Sequence, residues 1–250
     1  MKQNKIWIQT SIAAFLIITV GVYYYYFSGP TDFLNDDQAI EALNRYYFNP
    51  KAMEIQDVVF LDEKHVLVPF ITENGYATSC WTWKNRSWRI EGIDTSQLPF
   101  LWKTNPKAPS SYALIWNISP DNDIATIDFY LIGRRGYYVS DSVHRYTPRI
   151  QLHTTVLYEK EEKSYAVVPI PNEWIAFLDS YEKVEKSKQP RRHFYNFMQP
   201  YSLEYAWIPY NESGEVTFPK FAQGMASGGA NIVHLSNLNV QDLEYPIDKK

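Results

Sequence analysis

Residues 66–93 read VLVPFITENGYATSCWTWKNRSWRIEGI, and the way this stretch punctuates itself decides the fold. Three runs rich in β-branched and aromatic residues, 66–72, 76–83 and 87–93, are separated by Glu73-Asn74-Gly75 and by Lys84-Asn85-Arg86. Asn-Gly between apolar runs is a strong hairpin signal, because both residues accept the positive φ that a tight two-residue turn demands. A two-residue turn within Lys84-Asn85-Arg86-Ser87 sets Trp83 opposite Trp88 and Trp81 opposite Ile90. Side chains alternate with period two along a strand, so these residues share one face of the sheet.

Upstream, residues 55–61 form a further strand-like run. Before it, Ile40, Leu43 and Tyr47 recur at helical spacing, with Asp36 or Asp37 as the cap and Asn49-Pro50 as the stop. A short amphipathic helix on a four-stranded antiparallel meander is therefore expected over residues 31–101, a small α+β domain. Residues 102–111, WKTNPKAPSS, have the composition of a linker. Residues 112–250 are expected to form a larger, mainly antiparallel β domain. Its hairpins pair 112–118 with 124–131 around Ser119-Pro120-Asp121-Asn122-Asp123, and 150–158 with 165–170 around 159–163. One amphipathic helix follows, capped by Asn172, with Trp174, Phe177, Leu178, Tyr181 and Val184 on its apolar stripe.

At the other end, residues 1–30 are expected to be a cytoplasmic stub and membrane anchor. From Ile6 to Phe27 about 22 residues pass without a charge, the length that crosses a hydrocarbon core of about 30 Å. Lys2 and Lys5 precede the run and Tyr23, Tyr24, Tyr25 and Tyr26 close it, the arrangement of a basic inner flank and an outer aromatic belt. A cleaved signal peptide is the rival, but tyrosine and phenylalanine crowd the positions where small residues belong at a cleavage site. The expectation is a single-pass chain in a cell membrane, its amino terminus cytoplasmic and its carboxy-terminal part outside.

Composition narrows the function classes. Net charge is −4, of which Lys2 and Lys5 contribute +2, so the remainder of the chain is acidic and disfavours a nucleic-acid binder. The single Cys80 excludes an internal disulfide and a thiolate zinc site, and a nearly cysteine-free exterior fits a bacterial envelope. No cofactor motif is present.

Among candidate sites, Trp81, Trp83 and Trp88 make an aromatic ladder that either lines a ligand groove or forms the core beneath the helix. Cys80 points to the opposite face and reads as structural. Asp121, Asn122, Asp123 and Asp128 supply oxygen ligands but lack the spacing of a calcium loop, and read as a solvated turn. The histidines at 65, 144, 153, 193 and 234 have no metal-ligand spacing, and Ser227 lacks a nucleophile-elbow context. Lys183, Lys186, Lys188, Arg191 and Arg192, with His193, form a basic cluster suited to an anionic surface or to a solvated loop. The chain is thus expected to be a non-enzymatic, membrane-tethered exterior module that binds an envelope protein or a wall component. The alternative is an envelope enzyme acting on glycan or peptide through an aromatic groove.

Overall fold

The computed structural model describes residues 2–27, 29–46, 50–140, 142–159, 163–187, 203–219 and 226–244. It is a mixed α+β fold with three α-helices and mostly antiparallel sheets. The helices are α1 (Lys2–Phe27), α2 (Asp36–Tyr46) and α3 (Asn172–Ser187). The first sheet contains β1 (Ala52–Ile55), β2 (Val59–Asp62), β3 (His65–Thr72), β4 (Gly75–Lys84) and β5 (Ser87–Asp94), and is completed by β14 (Ala226–Gly228). A second sheet has the order β12 (Tyr165–Pro169), β7 (Tyr112–Asn117), β6 (Phe100–Lys103), β15 (Ile232–His234). A third has the order β11 (Ile150–Leu157), β8 (Thr126–Gly133), β13 (Leu203–Tyr210), β16 (Ser236–Asn237), while β9 (Gly136–Ser140) and β10 (Val143–Thr147) form a separate ribbon.

The three sheets stack as layers because their central strands are apolar on both faces. Leu114 and Trp116 of β7 face the third sheet, meeting Phe129, Leu131 and Trp207 together with Trp174 of α3. The alternate residues Ala113 and Ile115 face the first sheet, packing with Leu67 and Cys80. The outer face of the first sheet holds Val66, Val68, Phe70 and Trp81 beneath Leu43 of α2. The outer face of the third carries Tyr130, Ile132, Ala206 and Ile208, covered by Leu238 and Leu243.

The hairpin expected from residues 66–93 is present in the expected register: Trp83 opposes Trp88 and Trp81 opposes Ile90. Asn85 and Arg86 both have positive φ (53° and 60°), the backbone of a primed two-residue turn. The β3–β4 turn places Glu73 and Asn74 between paired Thr72 and Gly75, and Gly75 takes φ 118°. Three details differ. The run 55–61 is broken into β1 and β2 at residues 56–58: Ile55 pairs with Phe70 but Val59 with Leu67, one residue more than β3 can match, and Val58 N–H turns to Asp57 Oδ1. The cap of α2 is Asn35, immediately before Asp36, and neither aspartate: Asn35 Oδ1 accepts from Gln38 N–H and Gln38 Oε1 accepts from Asn35 N–H, a reciprocal capping box. Residues 102–111 are not an open linker, since Trp102 sits in β6 with 0% exposure and residues 109–111 form a 3-10 turn.

The two hairpins expected in the carboxy-terminal part are corrected. β7 does not pair with β8, nor β11 with β12; β7 pairs with β6 and β12, and β8 with β11 and β13. The turn at 119–123 carries the chain from the second sheet to the third, a move with the same turn composition as a hairpin, and β11 and β12 lie in different sheets. β14 pairs with β5, so the chain's late residues return to the first sheet.

Helix α1 exposes the side chains described for it, Trp7 and residues 10–24. Among the described residues no helix is long and apolar enough to cross a membrane, so the expected crossing is not established by the fold. Past Phe27, residues 29–35 run without regular structure onto the aromatic ladder.

A buried polar hub joins the first and second sheets. Asn117, 2% exposed at the end of β7, donates to Gln56 Oε1 (2.8 Å) and to the Ala77 carbonyl (2.7 Å), and accepts from Ser164 Oγ (2.8 Å). Ser164 Oγ in turn accepts from Gln56 Nε2 at 2.9 Å. Replacing Asn117 with alanine strands these partners in a dry site, where each unsatisfied group costs about 1–3 kcal/mol. Asn117→Ala is expected to lower unfolding free energy by about 3 kcal/mol with an unchanged denaturant slope. A urea midpoint within experimental scatter of the parent would remove the hub from its structural role.

Candidate ligand cleft at three sheet edges

Strand β12 ends the second sheet: β7 is on one side of it, and no strand among the described residues is on the other. In an antiparallel pair, alternate residues direct both backbone groups to the same neighbour. The Ser164 carbonyl accepts from Ile118 N–H (2.9 Å) and Ile170 N–H donates to the Tyr112 carbonyl (3.2 Å). Positions 164, 166, 168 and 170 therefore face β7. Tyr165 and Val167 turn their N–H and C=O groups to the open side, and Pro169 turns only its carbonyl there. The proline confirms the parity, because at this position it removes no bond to β7.

The open side is a cleft of about 810 Å³. One wall is Val58, Val59 and Phe60 of the first sheet; the other is Val156 and Leu157 of β11 in the third. β2 and β11 are themselves terminal strands, so three sheet edges converge on one space. Val59 and Val156 face this space, while Phe60, packed on Phe33 and Trp88, and Leu157, opposite Thr126, turn to the outer faces of their sheets and border it at the rim. Trp116 contributes to the lining although it is 1% exposed, and its Nε1 has no hydrogen-bond partner. Across the ladder from Trp116 stands the small Ala166.

Polar groups gather at the Tyr165 end. The Tyr165 hydroxyl donates to Asp57 Oδ2, which also accepts from Lys163 Nζ at 3.4 Å, and Lys163 Nζ lies 5.1 Å from the centre of the Tyr165 ring. Asp57 Oδ1 caps Val58 N–H at 2.7 Å. The Tyr165 hydroxyl holds the Asp57 carboxyl below its ordinary value of 3.8, aided by Val58 and Lys163 and opposed by burial. Burial and the same carboxylate push the Tyr165 phenol up. Glu159 stands exposed nearby. The arrangement offers backbone donors and acceptors, apolar walls and one fixed ion-paired rim, which suits binding.

The residues singled out from the sequence lie elsewhere. Trp81 is buried (1% exposed); Trp83 and Trp88 are half-buried with their rings 5.4 Å apart. The ladder is occupied by the chain itself: Phe33 packs edge-on against Trp81 and Trp88 at 5.4 and 5.2 Å, and Trp88 Nε1 donates to the Thr31 carbonyl at 3.1 Å. Cys80 is buried, and burial first, then Glu91 and Asp94, push its thiol well up. Asp128 is apart from the 119–123 turn in function, fully buried on β8 and accepting from Thr155 Oγ1 and the Tyr130 hydroxyl. Among the described residues no group of three or more His, Cys, Asp or Glu could hold a metal ion. Of the basic cluster, Lys183 is exposed on α3; the Lys186 side chain, Lys188, Arg191, Arg192 and His193 lie outside what is described. Asp57, Trp116, Lys163, Tyr165 and Val167 were not legible as a site. The one local signal was Pro169 closing a β-branched run, the mark of an edge strand.

Searches against family models, curated proteins and solved structures gave no match to this chain.

The lowered Asp57 carboxyl has a signed consequence. A depressed folded-state value stabilises the fold above the ordinary value, near pH 4, and the contribution is lost as pH falls through the folded value. Asp57→Asn is thus expected to be less stable than the parent at pH 7, with a smaller gap at pH 3. Melting curves that stay equally separated at both pH values would show that the carboxylate charge is not the source. The pair is partly exposed, so the gap should also narrow in high salt.

Proposed function

We propose that the chain is a membrane-anchored binding module of a cell envelope that captures a partner in the three-edge cleft. The observation that carries it is the coincidence of unpaired backbone groups, apolar walls and a buried indole donor in one space of about 810 Å³. A volume of this size lies in the usual range of binding pockets, about 300–1,000 Å³.

The anchor rests on the sequence and on α1. The stretch from Ile6 to Phe27 is free of charge, the helix runs unbroken through 26 residues, and Trp7, Phe15 and Ile17 are each about 70% exposed. Exposed apolar surface of that extent is at home in lipid rather than water. With Lys2 and Lys5 on the inner flank, the sheets lie outside the cytoplasm, and an envelope protein or wall component is within reach.

A photoreactive amino acid at Val59 or at Val156, in the full chain in native membranes, is expected to give a discrete adduct that the same group at Glu212 does not. Labelling indistinguishable among the three positions would reject the cleft as the binding face. Carbonate washing is expected to leave the chain in the membrane pellet, and its release would reject the anchor.

A further inference from the structure

We infer that the partner enters the cleft as an extended peptide and adds a strand to β12. This rests on the binding reading above and specifies its chemistry. The second sheet is the middle layer, and the open side of β12, its last strand among the described residues, is flanked by residues of β2 and β11, the edge strands of the layers on either side. What is missing there has the shape of one more strand.

Hydrogen-bond complementarity identifies the occupant. Tyr165 and Val167 offer two N–H donors and two carbonyls, and Pro169 a third carbonyl, repeating every second residue at about 6.6–7 Å. A polypeptide in extended conformation repeats its own donors and acceptors at that interval; sugars and lipid headgroups do not. The walls fit the same occupant. A strand paired to β12 directs its side chains alternately toward Val59 of the first sheet and toward Val156 of the third, so an alternating apolar segment buries side chains on both faces. Trp116, 1% exposed and without a partner at Nε1, supplies one further donor suited to a carbonyl on the incoming segment. Glu159, exposed at the Tyr165 end, favours a lysine or arginine at that end of the peptide.

The test uses the full chain in detergent and a fluorescein-labelled peptide of one lysine followed by alternating valine and threonine. Two twins carry N-methyl groups on its odd or its even residues. Saturable binding is expected, weakened about tenfold or more in one twin and little in the other, because only one set of amides faces β12. Val167→Pro deletes an outward N–H while leaving the bonds to β7, and is expected to cost about tenfold. Trp116→Phe keeps the ring, loses the indole donor and is expected to cost about threefold. Should Val167→Pro disturb β12 itself, amide exchange in the parent chain decides: added peptide should slow Tyr165 and Val167 more than Ala166 and Val168, already bonded to β7. Equal affinity of all three peptides, absence of binding, or uniform exchange along β12 would overturn strand addition. Site-specific photocrosslinking at Val59 and Val156 alongside such a result would leave the binding module standing with a different kind of partner; loss of both would end both.

Discussion

A polar side chain at the end of a strand buried on both faces must find its partners inside the protein, and Asn117 meets that constraint between the first and second sheets. Its amide joins the Gln56 turn, the Ala77 carbonyl of β4 and Ser164 at the entry to β12. Two sheets are thereby fixed at one point by directional bonds, where hydrophobic packing alone would let layers slide, since burial is proportional to area and indifferent to register. Gln56 turns its side chain into this network, and the next residue, Asp57, meets the Tyr165 hydroxyl. The rim of the cleft adjoins the hub.

The same constraint explains why the cleft exists. Alternate layers of side chains fill both faces of β7, and the network closes its end, but β12 has only one neighbour to bond. Exposed edges are ordinarily blunted by proline, charge or a covering segment. Pro169 blunts one end of β12, and the Lys163–Asp57 pair stands by the other, leaving Val167 between them. An edge defended at both ends and open in the middle is selective for short extended segments and a poor template for sheet growth.

Short-range order was legible in residues 66–93 because turn chemistry and alternation agree there; the Asn85-Arg86 turn and the Trp83–Trp88 pairing follow from local geometry. The Asn172 helix was legible for the same reason, with Trp174 and Leu178 on its buried side. What local pattern could not carry was the choice between a hairpin and a step between layers. The turns at 119–123 and 159–163 have turn composition in either case, and the strands flanking them are apolar on both faces, so alternation gives no side to prefer. The central strand β13, LEYAWIPY, hid behind two prolines and an unpunctuated apolar run. The cleft was illegible because its residues, from Asp57 to Val167, are distant in sequence and become a site only once three edges meet.

The docking of residues 31–34 on the tryptophan ladder has a mechanical side. This stretch has no ladder of backbone bonds; it is held by the Phe33 edges and the Trp88–Thr31 bond. Aromatic pairs are worth about 0.5–1.5 kcal/mol each beyond their burial, so the joint is weaker than the stack it serves. Tension along α1 would part this coupling first, lengthening the tether before any strand yields. The amino-terminal segment then acts as a fuse, and the sheets with their cleft stay folded under a load that has already been shed.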